Sequence, residues 1–263
     1  MAYAVVCAVS LLAAALTLFS GFGLGTLLLP AFAVFFRADL AVAMTAVVHL
    51  SQNLFKLVLF RRHIDRTVAL RFGIPALLAA VAGAVLLDFL AGRHGALWVW
   101  ALAGHVFYIT VLKVVLGGLV VAFAVVELSP RLRDLRGLRL DRGHLPLGGA
   151  LSGFLGGLSG HQGALRAPFL LRAGLDKDAF IATGVVIACG VDVARLSVYA
   201  PHFAAERAAL VFNVPLVAAA VASAFAGVYA GSRLVKKVTL RHVQLVTAVL
   251  LLVLGAALAA GVV

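Results

Sequence analysis

Apolar runs of about 20 residues recur along the whole chain, and they restrict its fold more than any other feature. A run of this length crosses a hydrocarbon layer of about 30 Å as an α-helix, which satisfies its own backbone hydrogen bonds there. The chain is 64% hydrophobic and only 12% charged, whereas a soluble domain is about 25% charged. We therefore predict an all-α polytopic membrane protein.

The predicted spans follow these runs, and two blocks are too irregular for a single helix. Residues 2–36 are interrupted near Ser20 and Gly21, and residues 146–172 are interrupted near Gly160. Glycine and proline at these points argue against continuous helices. The other runs predict single helices at 40–60, 72–91, 96–127, 179–199, 208–231 and 238–262, the third with a bend or tilt at Gly117 and Gly118.

A basic connection divides the chain into two halves. We predict an N-terminal transmembrane repeat at 1–128, a cytoplasmic loop at 129–145 and a C-terminal transmembrane repeat at 146–263. An offset of 138 residues pairs Gly25 with Gly163, Pro30 with Pro168, and Thr45 with Thr183. The predicted fold is two inverted repeats, each with a broken, re-entrant block followed by three spanning helices.

The positions of lysine and arginine predict the orientation. Of the 22 basic residues, 15 lie in or beside four loops and only three lie in the remaining loops. Loops rich in these residues stay in the cytoplasm, so the net charge of +12 indicates topology rather than a nucleic-acid partner. Residues 146–172 must then return to the side they entered. We expect a multi-pass protein of the plasma membrane, in a bacterial inner membrane, with the main basic loops cytoplasmic.

The stretch from Ser159 to Pro168 places polar groups inside an apolar segment. We predict a helix broken in mid-membrane, with these groups facing a cavity lined by protein. A similar pattern of glycines precedes Pro30. Half-helices that begin at such breaks present backbone N–H groups and a positive dipole end to an anion. The predicted backbone contacts are Gly21, Gly23, Gly25, Gly160 and Gly163.

Charged residues inside the predicted spans are mostly basic: Lys56, Lys113, Arg166 and Arg195 accompany one acid, Asp192. A charge at bilayer depth costs about 2.5–3.5 kcal/mol. Asp192 and Arg195, three residues apart, are predicted to form a structural ion pair. The remaining excess of positive charge favours a bound anion, with Arg166 as its contact or, alternatively, in a structural pair. Lys56 is assigned to the anion path or to the adjoining loop, and Lys113 to a structural role.

Helical spacing of three and four places a polar stripe on the helix predicted at 40–60. Such a stripe either joins helices or lines a substrate path, and we favour the path. At the break, His161 and Gln162 are predicted to contact the anion, with a structural histidine as the alternative. His105 is predicted to be a packed helical residue. The predicted path residues are Thr45, His49, Asn53, Lys56 and Thr183, and Gln52 shares the stripe.

Signatures of catalysis are missing from the sequence. It contains no Gly-x-Ser-x-Gly elbow, no His-Glu-x-x-His motif and no phosphate-binding loop. The two cysteines, Cys7 and Cys189, lack the spacing of a metal site or a disulfide, and we interpret them as small core residues. We expect no enzyme activity, no cofactor and no metal.

The motif Gly21-x-Gly23-x-Gly25 before Pro30, its counterpart from Ser159 to Pro168, and Ile181-Ala182-Thr183 resemble the TauE/SafE-type transporters. These are a family of sulfite and organosulfonate exporters and permeases, and the similarity covers essentially the whole chain. Many members have further glycines where this chain has His161-Gln162 and Leu24. The resemblance implies secondary transport of a small sulfur-containing anion.

We thus expect a secondary transporter that exports a small anion by alternating access, with its site between the two repeats. Its partners are the anion and the lipid bilayer, and a homodimer is compatible with the sequence. One alternative is a small-anion channel, which would show ohmic currents instead of saturation and counterflow. Another is an intramembrane enzyme or cofactor-binding subunit, which would retain a chromophore or metal on purification.

Overall fold

The computed structural model describes residues 1–16, 24–93, 95–102, 104–129, 142–205, 207–234 and 240–262. Short 3-10 turns at Arg61–His63 and Arg142–His144 connect or precede helices. The elements are α1 (Ala2–Leu16), α2 (Leu24–Ala33), α3 (Ala38–Phe60), α4 (Arg66–Ala91), β1 (Ala96–Leu102), β2 (His105–Thr110), α5 (Val111–Leu128), α6 (Leu145–Ser159), α7 (Gln162–Arg172), α8 (Lys177–Ala205), α9 (Arg207–Leu234) and α10 (Leu240–Ala259).

Four segments of the described chain are long and apolar enough to cross a membrane as helices. They are Ala38–His63, Arg66–Ala91, Lys177–Pro201 and Asn213–Gly231. Their outer faces expose large apolar side chains, including Val58 and Leu78, each with 71% of its surface accessible. Water would disfavour such faces, whereas lipid tails accommodate them. The prediction of a polytopic helical membrane protein is confirmed.

The predicted continuous helix at 96–127 is wrong. Strands β1 and β2 form an antiparallel hairpin that turns at Gly104, where φ is +81°, and α5 begins only at Val111. Aromatic and β-branched residues favour strands, and glycine tolerates this left-handed turn. The Trp100 indole also ties the hairpin to α10 by donating to the Ala260 carbonyl at 2.8 Å. His105, predicted to be packed on a helix, lies exposed on β2.

The second half contains the predicted helix break. Helix α6 ends at Ser159 and is followed by Gly160, whose φ is +83°, and α7 begins at Gln162. The Arg142 guanidinium, just before α6, donates to the Ala173 carbonyl, just after α7, at 3.0 Å. The pair therefore starts and ends at the same end of the bundle. Gly163 is not in the irregular segment, because it lies in the first turn of α7.

The corresponding break in the first half falls between α1 and α2. Helix α1 ends at Leu16 and α2 begins at Leu24. Gly21 and Gly23, predicted to supply backbone contacts there, lie outside the described residues. Gly25 lies in the first turn of α2, as Gly163 lies in the first turn of α7.

Glycines let the first helix of each half pack closely against the fourth helix of the other half. On α6, a Cβ at Gly149, Gly153 or Gly157 would lie 2.0–2.2 Å from a backbone oxygen of α4. On α9, a Cβ at Gly227 or Gly231 would lie 2.2 or 2.5 Å from a backbone oxygen of α1. Only glycine permits such close backbone approach. Both contacts run parallel, since residue numbers rise together along each pair.

Helices in corresponding positions of the two halves pack antiparallel. His49 of α3 contacts Asp192 of α8, whereas Asp65, beyond the end of α3, contacts the earlier Thr183. Helices α5 and α10 also pack antiparallel: Gly117 contacts Ala259, and the later Val120 contacts the earlier Gly255.

Candidate functional site

A cluster of buried polar side chains lies where α3, α7 and α8 meet, directly beside the helix break. Asp192 and Arg195 are fully buried, and Gln162 and Arg166 expose only 1% and 6% of their surface. Buried charges need partners, because their desolvation costs several kcal/mol per ion. We call this set the polar cluster, and its members are His49, Asn53, Lys56, Gln162, Arg166, Asp192 and Arg195.

Asp192 is the centre of the polar cluster. Its Oδ1 accepts from Arg195 Nε at 3.0 Å and from Gln162 Nε2 at 3.2 Å, and Arg195 Nη2 lies 2.8 Å away. Its Oδ2 lies 2.6 Å from Nδ1 of His49, on the other half of the chain. The pair of Asp192 and Arg195 has the geometry of the predicted ion pair, and Asp192 also connects α3, α7 and α8.

Arg166 points into the bundle instead of toward an interface. Its Nη1 donates to Gln162 Oε1 at 3.1 Å, which extends the chain of hydrogen bonds from Asp192. Gly184 of α8 faces the guanidinium: a Cβ there would lie 3.5 Å from Arg166 Nε. That distance is ordinary van der Waals contact, so α8 packs directly against the guanidinium at this position.

Helix α3 adds a third cation and an amide to the cluster. Lys56 is 6% exposed and, like Arg166, carries a positive charge into the bundle. The Asn53 amide nitrogen lies 3.1 Å from Nδ1 of His49. With His49 neutral, three cations and one carboxylate give the cluster a formal net charge of +2. The cluster can therefore stabilise an anion.

His161 lies at the break itself, and contacts with Ser159 and Phe123 fix its ring. Its Nδ1 is 3.0 Å from the hydroxyl and 3.1 Å from the carbonyl oxygen of Ser159, and its ring stacks on Phe123 of α5 with centroids 5.0 Å apart. Its Nε2 is buried and has no hydrogen-bond partner among the described residues. That nitrogen is available to a ligand, while Ser159 and Phe123 fix the ring.

Arg195 lies beneath the break and occupies the space that Gly160 leaves open. A Cβ at Gly160 would be 2.8 Å from Arg195 Nη1, and this atom lies 3.5 Å from the Gly156 carbonyl oxygen. The Tyr199 hydroxyl donates to the next carbonyl, that of Gly157. Two side chains of α8 thus satisfy the final carbonyls of α6, where a cation also opposes the negative end of the helix dipole.

The two threonines predicted to share one path do not come together. Thr183 Oγ1 accepts from the Asp65 backbone N–H at 3.0 Å, at the turn that follows α3. Thr45 lies near the other end of α3, buried and without a hydrogen-bond partner in the described chain. Because α3 and α8 are antiparallel, Thr45 and Thr183 lie near opposite ends of α3, and their hydroxyls are not neighbours.

Two features in or beside the polar cluster were not assigned to the site from the sequence. Gln52 is fully buried, and neither amide atom has a partner within the described residues. It lies one turn before Lys56, and its place in the polar stripe was the available signal. The contact of His49 with Asp192 was also missed, although Asp192 is the one acid well inside a predicted span and so the obvious partner for a polar stripe.

Residues that could hold a metal ion do not gather in the described chain: it contains no group of three or more His, Cys, Asp or Glu side chains. Cys7 and Cys189 are both free thiols. Lys113, expected to be structural, donates from Nζ to the Gly261 carbonyl at 3.2 Å.

The spanning helices and the buried cationic cluster beside a broken helix define a polytopic membrane protein with an internal polar site. The family model of the sulfite exporter TauE/SafE matches residues 6–258. The chain therefore belongs to the TauE/SafE sulfite exporter family, which is a family of membrane transporters. Neither a curated protein nor a solved structure matches the chain significantly.

Proposed function

We propose that this protein is a secondary transporter that exports a small anion, such as sulfite or an organosulfonate, across a bacterial inner membrane. One observation carries the proposal: the polar cluster is buried in an apolar bundle and has a formal net charge of +2. At bilayer depth each charge costs about 2.5–3.5 kcal/mol, so an anion that neutralises the cluster is bound favourably. Membership of the family supports transport, and the cluster independently supports an anion.

The anion is proposed to bind between Arg166 and Lys56. The Gln52 amide and His161 Nε2 are buried polar groups that lack partners in the described chain, and each such group costs about 1–3 kcal/mol until it is satisfied. Backbone N–H groups in the first turn of α7, including that of Gly163, add a positive dipole end. The glycines Gly21, Gly23 and Gly25 are proposed to do the same from the first half.

Alternating access is proposed to arise from motion of one half against the other. An in-plane twofold axis would make corresponding helices antiparallel, and α3 with α8 and α5 with α10 have that relation. The first helix of each half packs against the fourth helix of the other half, and this reciprocal arrangement also supports inverted repeats. The cluster residues Gln162, Arg166, Asp192 and Arg195 are closed to solvent, which favours a carrier over an open channel. The inside-negative potential would favour export of the anion.

Binding of anions to the purified protein tests this function. Sulfite, sulfate, thiosulfate, taurine, sulfoacetate and phosphate are compared for their effect on the temperature of unfolding, since a ligand of the folded state raises it. The parent protein should respond to at least one sulfur-containing anion, and Arg166→Ala should lose that response because it removes the charge beside the site. Counterflow in proteoliposomes then distinguishes a carrier from a channel.

Two variants serve as controls for this experiment. Arg166→Lys keeps the charge and should retain part of the response, whereas Arg172→Ala removes a cation from the end of the same helix and should leave the response unchanged. If Arg166→Ala folds and responds as strongly as the parent, the anion does not bind at this cluster. If no anion stabilises the parent, the proposed function is wrong.

A further inference from the structure

The contact between His49 and Asp192 joins the two halves of the chain inside the polar cluster. Nδ1 of His49 on α3 lies 2.6 Å from Oδ2 of Asp192 on α8. The two side chains expose 12% and 0% of their surface. Histidine is the side chain whose charge changes most readily near neutral pH. A buried histidine bound to a carboxylate across the moving interface of a transporter is placed to carry a proton.

The bridge survives gain or loss of a proton. A neutral imidazole donates Nδ1–H to the carboxylate, and an imidazolium donates the same hydrogen bond with the added attraction of opposite charges. The proton in question is therefore the one on Nε2 of His49. The Asn53 amide nitrogen lies 3.4 Å from this atom, so the amide must present its oxygen instead when Nε2 is protonated. His49 is also more exposed than Asp192, Arg195 or Gln162.

The surroundings of the pair make proton binding depend on the anion. Its own helix contributes Asn53 and Lys56, α7 contributes Gln162 and Arg166, and α8 contributes Arg195 and the Cys189 thiol. Apart from Asp192, the charged groups are all cations. An anion bound among these cations adds a negative charge that attracts a proton to the pair.

We propose that His49 and Asp192 form a proton-binding site that is loaded together with the anion, so that each transport step carries one proton with its substrate. This inference rests on the proposed anion transport and names its coupling ion. Coupling between two sites is reciprocal, so the anion must favour the proton as much as the proton favours the anion. A monovalent anion then crosses without net charge and gains nothing from the membrane potential. A divalent anion still moves one net negative charge, whose export the inside-negative potential favours.

Proton uptake on anion binding tests the coupling directly. Sulfoacetate is the probe, because neither of its acid groups takes up a proton near neutral pH, whereas sulfite does. It is added to purified protein in weakly buffered solution containing a pH indicator. The parent should take up about one proton per bound anion when binding is complete. His49→Gln should be stabilised less strongly by sulfoacetate, because it lacks the coupled proton, and at saturating sulfoacetate it should take up none.

The matched control is His105→Gln, which removes an exposed histidine from β2 and should take up protons as the parent does. Stabilisation of the parent by sulfoacetate without proton uptake, or equal uptake by His49→Gln, overturns the coupling and leaves the anion site intact. Failure of the whole anion panel to stabilise the parent overturns the proposed function instead.

A second measurement needs only the parent, in case His49→Gln does not fold. Proteoliposomes are clamped at zero membrane potential with equal potassium on both sides and an ionophore, and the outside is made acidic. Sulfoacetate should accumulate inside above its external concentration, because protons carry it inward. If it only equilibrates, no proton moves with it.

Discussion

Asp192 makes one contact that the sequence predicts and one that it does not. Its spacing of three residues from Arg195 on one helix predicts that the two side chains can meet, and in the structure they do. Its contact with His49 could not be predicted by spacing, since 143 residues separate the two positions and only the packing of α3 on α8 brings them together. The burial of Arg166 could not be predicted by spacing either, because it results from the packing of α7 against α8.

Removal of the Asp192 carboxylate should destabilise the protein strongly. Asp192→Asn leaves Arg195 and the other cations buried without their counter-charge, and breaking such a pair costs about 3–5 kcal/mol. We expect a lower unfolding temperature for Asp192→Asn in detergent. Asp178→Asn, at an exposed position in the first turn of the same helix, should unfold as the parent does.

The double variant Asp192→Asn/Arg195→Met isolates the cause of this loss. It removes the buried cation along with its partner and should recover part of the stability, as a double-mutant cycle measures. If Asp192→Asn unfolds at the same temperature as the parent, the carboxylate does not stabilise the cluster.

At the scale of elements, hydropathy alone predicted α3, α4, α8 and α9 with ends within six residues, because helices satisfy their own backbone hydrogen bonds in a membrane. Hydropathy did not predict the hairpin of β1 and β2. A short apolar run rich in Trp, Val, Phe and Tyr has the same hydropathy in a strand as in a helix, so only the turn at Gly104 and the contact of Trp100 with Ala260 distinguish the two.

Two adjacent glycines of α5 test whether close helix packing holds α5 against α10. A Cβ at Gly117 would lie 2.6 Å from both the Gly255 oxygen and the Ala259 nitrogen, whereas a Cβ at Gly118 meets nothing within 4 Å. Gly117→Ala should therefore cost about 1–3 kcal/mol through overpacking. Gly118→Ala should gain up to about 1 kcal/mol, because alanine favours a helix more than glycine does.

The comparison of the two alanine variants is made by thermal unfolding of each in the same detergent. Both variants replace glycine with alanine at adjacent positions, so helix propensity affects them equally. A stability change of opposite sign therefore reports the contact of α5 with α10. Equal effects of the two would contradict the packing of α5 on α10.

For the whole molecule, the offset of 138 residues was the main sequence sign of an internal repeat. Gly117 and Gly255, which are separated by that number of residues, face each other across the contact of α5 with α10. The register of the first helices differs between the halves: α6 packs along the first part of α4, and α1 packs near the end of α9. Sequence offsets cannot predict such a shift, because packing sets it.

The topology predicted from charge can be tested with single cysteines in a background that lacks Cys7 and Cys189. Arg62→Cys, in the turn between α3 and α4, and Lys177→Cys, at the start of α8, should react with a membrane-impermeant maleimide only from the cytoplasmic side. Gly95→Cys, beyond the opposite end of α4, should react only from the outside. Inside-out vesicles and intact cells give the two measurements.

Lys177→Cys decides whether α6 and α7 form a re-entrant pair. The hydrogen bond of Arg142 to the Ala173 carbonyl brings the start of α6 and the end of α7 to one end of the bundle, and Thr183 contacts Asp65 of the basic turn that follows α3. Position 177 must then share the side of position 62. If it reacts from the outside instead, the pair crosses the membrane, the halves are not inverted, and a binding site at the meeting of two half-helices loses its structural basis.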